Sequence, residues 1–269
     1  MNKPILLDTI TCSDALAYLN TIPDETIDMI LTSPPYDNLR TYKGYTWDFE
    51  GIARDSYRVL KTGGVLVWVV GDATVEGSET LSSFKQALYF VGGAGFKLHD
   101  TMIYYKNGAV MNNHHPRYID SFEYMFVLSK GVPTTFNGQL RKTITEGALT
   151  GSGKRQRNGQ LQTFGNVRTP TAAYSLDVNV WRVYSGGGHN DKYASEHPAS
   201  FPEKLAERHI MTWTNAGDTV LDFFAGSGTT LKMARNLNRR YLGCDISEEY
   251  VALARKRLAQ PFTVSMFAD

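Results

Sequence analysis

The stretch Thr219-Val220-Leu221-Asp222-Phe223-Phe224-Ala225-Gly226-Ser227-Gly228-Thr229-Thr230 decides how this chain folds. Its first half predicts a buried strand, and its glycine turn leads into a helix predicted over residues 229–237. A strand over 240–244 and a helix over 248–258 follow after short connections. Strands and helices that alternate in this way favour a doubly wound α/β fold with a mostly parallel sheet.

Apolar runs earlier in the chain predict further strands of the same sheet. The runs over residues 27–32 and 65–70 contain few polar residues, which is typical of strands covered on both faces. The segments 101–106 and 122–130 predict a pair of neighbouring strands near one edge of the sheet.

Length and composition indicate one large core that carries an insertion. The chain has 269 residues, of which 42% are apolar and 20% are charged, so it can bury a core and is not disordered as a whole. The net charge of +1 excludes a histone-like polycation. Two cysteines, Cys12 and Cys244, are too few for a disulfide framework and favour a reducing compartment. No apolar run has the length of a signal peptide or a membrane span, so we expect a soluble, cytoplasmic protein.

The segment 132–180 breaks the alternating pattern and is predicted to be an insertion. It has little hydrophobic periodicity and is rich in Gly, Thr, Asn and Gln. Six basic residues stand there against two acidic ones, although the whole chain has a net charge of only +1. A basic, glycine-rich insertion suggests a surface that faces a polyanion, with a solvated loop as the alternative. We therefore divide the chain into a first part of the core (1–131), the insertion (132–180) and a second part of the core (181–269).

The glycine turn after residues 219–224 predicts a site for a nucleoside. Glycines let a ligand approach the backbone, and the following helix offers N–H groups at its first turn. Asp245 lies 19 residues after Gly226 at the end of the next strand, where a carboxylate can accept both hydroxyls of a ribose. Leu231 stands where a dinucleotide fingerprint has its third glycine, and no P-loop is present. A cofactor without phosphates, such as S-adenosylmethionine, is therefore favoured, and a purely structural turn is the alternative.

The segment Thr32-Ser33-Pro34-Pro35-Tyr36 directly follows a predicted buried strand. Two successive prolines fix φ and remove two backbone donors, so the turn presents carbonyl oxygens, a hydroxyl and an aromatic ring. The Ser33 hydroxyl and the Pro34 carbonyl can accept the hydrogens of an aromatic amino group, while Tyr36 can stack on its ring. Such acceptors aim the nitrogen lone pair, which is otherwise delocalised, at a methyl donor, and no metal is required. A structural turn that ends a strand is the alternative interpretation.

In this order, the motifs resemble those of the amino-methylating DNA methyltransferases in their β-group permutation, which places Ser-Pro-Pro-Tyr before the glycine turn. Two more segments support the resemblance. Residues 121–130 are similar to the strand beside the target-base pocket, and residues 197–205 are similar to the segment over the methionine end of the cofactor. The resemblance implies a circularly permuted S-adenosylmethionine-dependent methyltransferase fold, whose seven-stranded, mostly parallel sheet has one antiparallel edge strand.

The resemblance also implies two sets of site residues. The catalytic set is the turn itself, namely Ser33, Pro34, Pro35 and Tyr36. The cofactor-binding set is Asp14, Ser33, His197, Phe201, Phe224, Gly226, Ser227, Gly228, Thr229 and Asp245, with Asp14 and Phe224 at the adenine. Two departures from the family pattern are Phe223, which replaces a proline, and Asp245, which replaces the commoner glutamate and so shortens the reach but keeps the charge.

In this family, Ser-Pro-Pro-Tyr usually accompanies methylation of cytosine N4, and Asp-Pro-Pro-Tyr usually accompanies adenine N6. The resemblance therefore favours cytosine N4 in a base rotated out of duplex DNA, with adenine N6 as the alternative. The insertion becomes the expected target-recognition region. The expected DNA contacts are Arg40, Arg117, Lys154, Arg155 and Arg157. For Lys154, Arg155 and Arg157, nonspecific anchoring to the DNA is the alternative to sequence recognition. His114 and His115 lack a second ligand pair at metal spacing, so no metal is expected.

Other interpretations remain open at this point. The Pro-Pro turn also suits a planar amino group of RNA or of a protein amide, and the chain could be a non-catalytic DNA-binding protein on the same fold. A cognate restriction endonuclease that acts separately is a conceivable partner, and no membrane partner is expected. Both a monomer and a homodimer are compatible with the sequence.

Overall fold

The structure is a computed structural model, and it describes most of the chain. The described residues are 5–35, 47–107, 116, 118–143, 153–158, 160–163, 172–184, 193 and 202–261. The helices in these ranges are α1 (Ala15–Leu19), α2 (Phe49–Val59), α3 (Ser82–Gly92), α4 (Glu203–Trp213), α5 (Thr229–Asn236) and α6 (Glu248–Leu258). Within the same ranges, no helix combines the length and the apolar composition that a membrane crossing requires.

The strands of the described residues form one large sheet and three short ribbons. In chain order they are β1 (Thr9–Cys12), β2 (Ile27–Thr32), β3 (Leu60–Val70), β4 (Thr74–Val75), β5 (Ser78–Glu79), β6 (Lys97–Asn107), β7 (Phe122–Ser129), β8 (Leu140–Lys142), β9 (Gly153–Arg155), β10 (Leu161–Thr163), β11 (Tyr174–Leu176), β12 (Val180–Tyr184), β13 (Thr219–Asp222) and β14 (Arg240–Asp245). The ribbons pair β4 with β5, β8 with β11 and β9 with β10.

The chain divides into two compact units. The larger unit comprises Met1–Asn137 together with Asn179–Asp269, and the smaller unit is Gly138–Val178. The large sheet belongs to the larger unit, and its strands lie in the order β1-β14-β13-β2-β3-β7-β6-β12. Neighbouring strands are parallel except at β7, which runs antiparallel to both β3 and β6.

The predicted doubly wound, mostly parallel α/β sheet is confirmed, but two details differ from the expectation. Among the described residues the sheet has eight strands rather than seven, because β12 adds to β6 in parallel as a further edge strand. The antiparallel strand β7 lies inside the sheet rather than at its edge. Helix α3 carries the chain from β3 past one strand position to β6, and β7 then turns back into the gap between them.

Helices cover both faces of the large sheet. Along β2, successive side chains point to opposite faces, so Met29 and Leu31 join one core while Ile30 joins the other. Helices α4, α5 and α6 pack on the first face, and α1, α2 and α3 pack on the second. The helix residues that do so include Leu205, Leu231 and Val251 on the first face and Leu19, Ile52 and Phe90 on the second. Burial on both faces explains why the central strands are almost entirely apolar.

The smaller unit contains two antiparallel ribbons in its described part. β8 pairs with β11 and β9 pairs with β10. Every residue of β8 and β11 is exposed, including Arg141 and Lys142. Arg141 Nε lies 3.9 Å from the carboxylate of Asp177. The β8–β11 ribbon therefore presents side chains of both its faces to solvent.

A buried side-chain hydrogen bond joins the ends of β2 and β13. The two strands pair in parallel and so end at the same edge of the sheet. The Thr32 hydroxyl donates to Asp222 Oδ1 at 2.7 Å, and both side chains are buried. Burial raises the pKa of Asp222 to about 6, although hydrogen bonds such as that from Thr32 favour its charged form.

Replacing Asp222 by Asn tests this buried carboxyl group. Because the folded-state pKa of about 6 lies above the ordinary value of the unfolded chain, the folded protein holds the proton more tightly. The stability of the wild type therefore falls, through this group, as the pH rises through that interval. An amide does not titrate, so Asp222→Asn lacks this loss of stability. The free energy of unfolding of the variant minus that of the wild type should therefore rise by roughly 2–3 kcal/mol from about pH 4 to pH 7. Denaturant titrations across this range measure the difference.

The control is Glu76→Gln in the exposed turn between β4 and β5. It makes the same change in net charge at the surface. If the Asp222→Asn difference followed that of the control at every pH, the buried carboxyl would not have the raised pKa described above.

Candidate functional site

The candidate site lies where the winding of the sheet changes direction, between β13 and β2. Helix α5, which follows β13, packs on one face of the sheet, whereas α2, which follows β2, packs on the other. Open α/β sheets bind ligands in the crevice at such a switch point, outside the carboxyl ends of the strands. The glycine turn and the Pro-Pro turn both begin there, immediately after the bonded pair Asp222 and Thr32.

Asp245 holds the glycine turn against the end of β14. Its Oδ2 accepts the Gly226 N–H at 2.9 Å, and its Oδ1 accepts the Ser247 N–H at 2.9 Å. Gly226 has a φ of +50°, a backbone conformation that favours glycine. Burial raises the pKa of Asp245, and its backbone hydrogen bonds oppose that shift. Each carboxylate oxygen has two acceptor positions, so Asp245 can hold the turn and still accept a ribose hydroxyl.

The residues after Gly226 face the protein interior. Gly228 caps α5 with a φ of +76°, and a Cβ at this position would lie 2.8 Å from the Cβ of Ala254 on α6. The hydroxyls of Ser227 and Thr229 accept hydrogen bonds from Arg257 Nη1 at 2.8 and 3.0 Å. Gly228 is thus required by helix packing, and the two hydroxyls are engaged within the protein. A contribution of these residues to a ligand would come from their backbone.

An aromatic ring and a second carboxylate occupy the neighbouring strand ends. The half-buried ring of Phe224 follows β13 and meets Trp47 edge-on at 5.3 Å between centroids. Asp14 follows β1, and its Oδ1 caps α1 by accepting the Ala17 N–H at 3.0 Å. The preceding residue, Ser13, donates its N–H to the carbonyl of Asp245 at 3.0 Å. The site therefore combines acceptors for ribose hydroxyls and an amino group with an apolar ring face, which fits an adenosine moiety without phosphates.

The two prolines of the Pro-Pro turn offer acceptors only. Pro34 is buried, and Ser33 and Pro35 are half-buried. Neither proline has an N–H, so the backbone of this turn can accept hydrogen bonds from a ligand but not donate them at these positions. A group that carries two hydrogens on one nitrogen is the complementary partner.

Several predicted residues lie outside the described part of the chain. They are Tyr36, Arg40, Arg117, His197 and Phe201. Lys154 and Arg155 lie on β9, which is described by its backbone, and Arg157 is exposed in the turn between β9 and β10. Among the residues that the structure does describe, no three His, Cys, Asp or Glu side chains form a cluster that could hold a metal ion.

Sequence reasoning missed the polar residues that stand behind the two turns. Thr32 and Asp222 are buried polar residues at the carboxyl ends of two largely buried strands, and that position was an available signal. Arg257 is buried on α6, where it falls at the same helical spacing as the core residues Val251 and Ala254. A charged residue within an apolar stripe requires a buried partner, which the sequence does not name.

Comparison with known proteins identifies the family of this chain. The profile of the DNA methylases of the N6/N4 type matches residues 27–256. The chain is 48% identical over 241 residues to the orphan methyltransferase M.BamHII of Bacillus amyloliquefaciens, covering 88% of this chain and 90% of that protein. It is 30% identical over 264 residues to the DNA adenine methyltransferase YhdJ of Escherichia coli strain K12, covering 93% and 82%.

Solved structures share the same fold. The cytosine-N4-specific PvuII DNA methyltransferase superposes with a TM-score of 0.69 at 21% identity, over 95% of this chain and 87% of that one. The family profile spans most of this chain, and the sequence relatives span most of it as well. The chain therefore belongs to the N6/N4 family of DNA methylases.

Proposed function

We propose that this chain transfers a methyl group to the exocyclic N4 of a cytosine that has been rotated out of duplex DNA. The observation that carries the proposal is the hydrogen bond from Thr32 to Asp222, because it joins the starts of the two turns. In this proposal the turn from Ser33 to Pro35, whose two prolines have no N–H, and the glycine turn open into one crevice. S-adenosyl-L-methionine is the cofactor of this fold, and solved structures similar to this chain hold it.

The residues of the site match the groups they would hold. Asp245 and Asp14 provide acceptors for the ribose and the adenine amine, and Phe224 provides an apolar ring for the adenine. S-adenosyl-L-methionine supplies an electrophilic methyl group when it is bound. His197 and Phe201 are proposed at its methionine end because of the family resemblance alone.

The Pro-Pro turn would prepare the amino nitrogen for attack. The Ser33 hydroxyl and the Pro34 carbonyl would accept hydrogen bonds from the two amino hydrogens, and Tyr36 would stack on the base. The nitrogen would release one of these two protons to solvent when it gains the methyl group. Holding both hydrogens draws the nitrogen toward tetrahedral geometry and directs its lone pair away from the ring. Most of the rate enhancement then comes from positioning and desolvation of two groups brought together.

The choice of cytosine rests on Ser33 at the first position of the turn, which in this family usually accompanies the N4 reaction. The PvuII enzyme, whose fold this chain shares, is cytosine-N4-specific. The alternative is adenine N6, which the similarity to the adenine methyltransferase YhdJ favours. Both bases present the same kind of amino group, so the turn fits either one chemically.

Nucleoside analysis tests the proposal directly. The protein is incubated with methyl-labelled S-adenosyl-L-methionine and duplex DNA of mixed sequence, and the DNA is digested to nucleosides. We expect the label in N4-methylcytosine, with Ser33→Ala much reduced. Label only in N6-methyladenine would overturn the choice of base, and no label in any duplex would overturn the reaction.

We also propose that the basic segment within 132–180 recognises the target DNA. Its described basic side chains Arg141, Lys142 and Arg157 are exposed. Exposed basic side chains can contact phosphates or guanine edges. Arg40, Arg117, Lys154 and Arg155 are proposed as further DNA contacts on the sequence alone. A restriction endonuclease partner remains a prediction, and the relative M.BamHII is named as an orphan methyltransferase.

Thr32→Val tests the link between the two turns. Valine has nearly the same shape but removes the donor to Asp222, so the Pro-Pro turn loses its bond to the cofactor side of the crevice. We expect kcat to fall about tenfold or more, since misplacing reacting groups is costly, while the fold is retained. Steady-state kinetics with saturating DNA and cofactor measure the effect.

The matched control is Thr212→Val on α4. Thr212 is also buried, and its hydroxyl donates to the Arg208 carbonyl of the same helix at 2.8 Å. Thr212→Val should be less stable than the wild type but should keep a kcat close to that of the wild type. Equal values of kcat for the two variants would contradict the proposed link.

The double variant Arg155→Ala/Arg157→Ala tests the recognition segment. We expect weaker DNA binding. The slope of log K against log salt concentration should become shallower by about one to two, because a protein with fewer phosphate contacts releases fewer counterions when it binds. Binding titrations over a range of salt concentrations measure the slope. Lys85→Ala/Lys256→Ala removes two exposed cations from the larger unit and is the control. A slope equal to that of the wild type would show that this segment does not face the phosphates.

A further inference from the structure

A buried arginine supports the glycine turn from behind. Arg257 is completely buried on α6. Its Nη1 contacts three oxygens of the turn: the Ser227 carbonyl at 2.8 Å, the Ser227 hydroxyl at 2.8 Å and the Thr229 hydroxyl at 3.0 Å. One guanidinium nitrogen therefore binds both residues that flank Gly228.

One carboxylate fixes the direction of that guanidinium. Glu203 Oε1 accepts from Arg257 Nη2 at 2.9 Å and from Lys232 Nζ at 2.8 Å. The exposed fractions of the three side chains are 7% for Glu203, 2% for Lys232 and 0% for Arg257. Glu203 is the first residue of α4, Lys232 lies on α5 and Arg257 lies on α6. The network thus joins three helices directly beneath the turn.

Stability alone is a poor explanation for this network. Burying three charged groups carries a large desolvation cost, and well-packed apolar side chains of similar volume often stabilise a protein as well or better. What an apolar replacement cannot provide is a set of directed hydrogen bonds to the backbone and hydroxyls of the turn. The distinctive property of Arg257 is therefore the planar, forked set of N–H donors of its guanidinium group, rather than its burial.

We infer that Arg257, oriented by Glu203, is a positioning residue that holds the glycine turn in the conformation that binds the cofactor. The inference rests on the proposed role of this turn in cofactor binding and is independent of which base is methylated. Arg257 acts through Ser227 and Thr229 and does not itself touch the ligand. In the sequence, Glu203 follows two residues after Phe201, which the family resemblance places at the methionine end of the cofactor.

Arg257→Lys tests the inference because it keeps the positive charge but loses the fork. The full-length protein is titrated calorimetrically with S-adenosylhomocysteine, and separately with duplex DNA. We expect the affinity for S-adenosylhomocysteine to fall about tenfold or more, because hydrogen bonds from a charged group to the turn are lost. The affinity for DNA should change much less, a split that general loss of structure would not produce.

Arg58→Lys is the matched control. Arg58 also binds main-chain carbonyls, those of Leu19 and Ile22 at 2.9 and 2.8 Å, but it lies near the amino end of β2. Arg58→Lys should leave the affinity for S-adenosylhomocysteine unchanged.

Asp245→Ala is the reference variant for the proposed cofactor site itself. If Asp245→Ala bound S-adenosylhomocysteine as tightly as the wild type, the proposed cofactor site would be wrong. If only Asp245→Ala lost affinity and Arg257→Lys did not, the inference about Arg257 alone would be overturned.

Glu203→Gln covers the case in which Arg257→Lys does not fold. It keeps the shape of the side chain but removes the charge that orients Arg257, and we expect a smaller loss of affinity, about threefold or more. Affinity equal to that of the wild type in whichever variant folds would overturn the inference. Failure of both variants to fold would assign the network to stability and would overturn it as well.

Discussion

The hydrogen bond between Thr32 and Asp222 is the contact on which the arrangement of the site depends. It links the last residue of β2 to the last residue of β13, and both partners are buried between the two helical layers. A buried carboxyl group that lost this donor would be costly, so the two strand ends are held at a fixed offset. The two turns that leave these residues are therefore placed relative to one another before any ligand is present.

The glycine turn is built mainly by side chains that face inward. Asp245 holds it from the side of β14, and Arg257 holds it from below through Ser227 and Thr229. The motif alone would assign the Ser227 and Thr229 hydroxyls and the Asp245 carboxylate to a ligand. In the structure, these groups make hydrogen bonds within the protein that hold the turn. A motif of this kind thus specifies a loop conformation first, and ligand contacts follow from that conformation.

The sequence was sufficient for the fold class, because the fold class depends on local patterns, whereas the place of the site stays a prediction. Continuous apolar runs predicted doubly covered strands, and the glycine turn after residues 219–224 predicted a ligand crevice at the strand ends. The eighth strand was not predictable, since β12 pairs with β6 across a long separation in the chain. The interior position of β7 depends on the same long-range pairing. The partners of Arg257 were hidden for a related reason, because Glu203 and Lys232 come from other helices.

The central claim is that the acceptor turn at Ser33 to Pro35 and the cofactor turn at Gly226 share one crevice. A crystal structure of the protein with bound S-adenosylhomocysteine tests it most directly. The account predicts the ribose at Asp245, the adenine against Phe224 and the sulfur atom facing the Pro34 carbonyl across an open space for a base. A ligand bound elsewhere, or a sulfur atom turned away from the Pro-Pro turn, would contradict it.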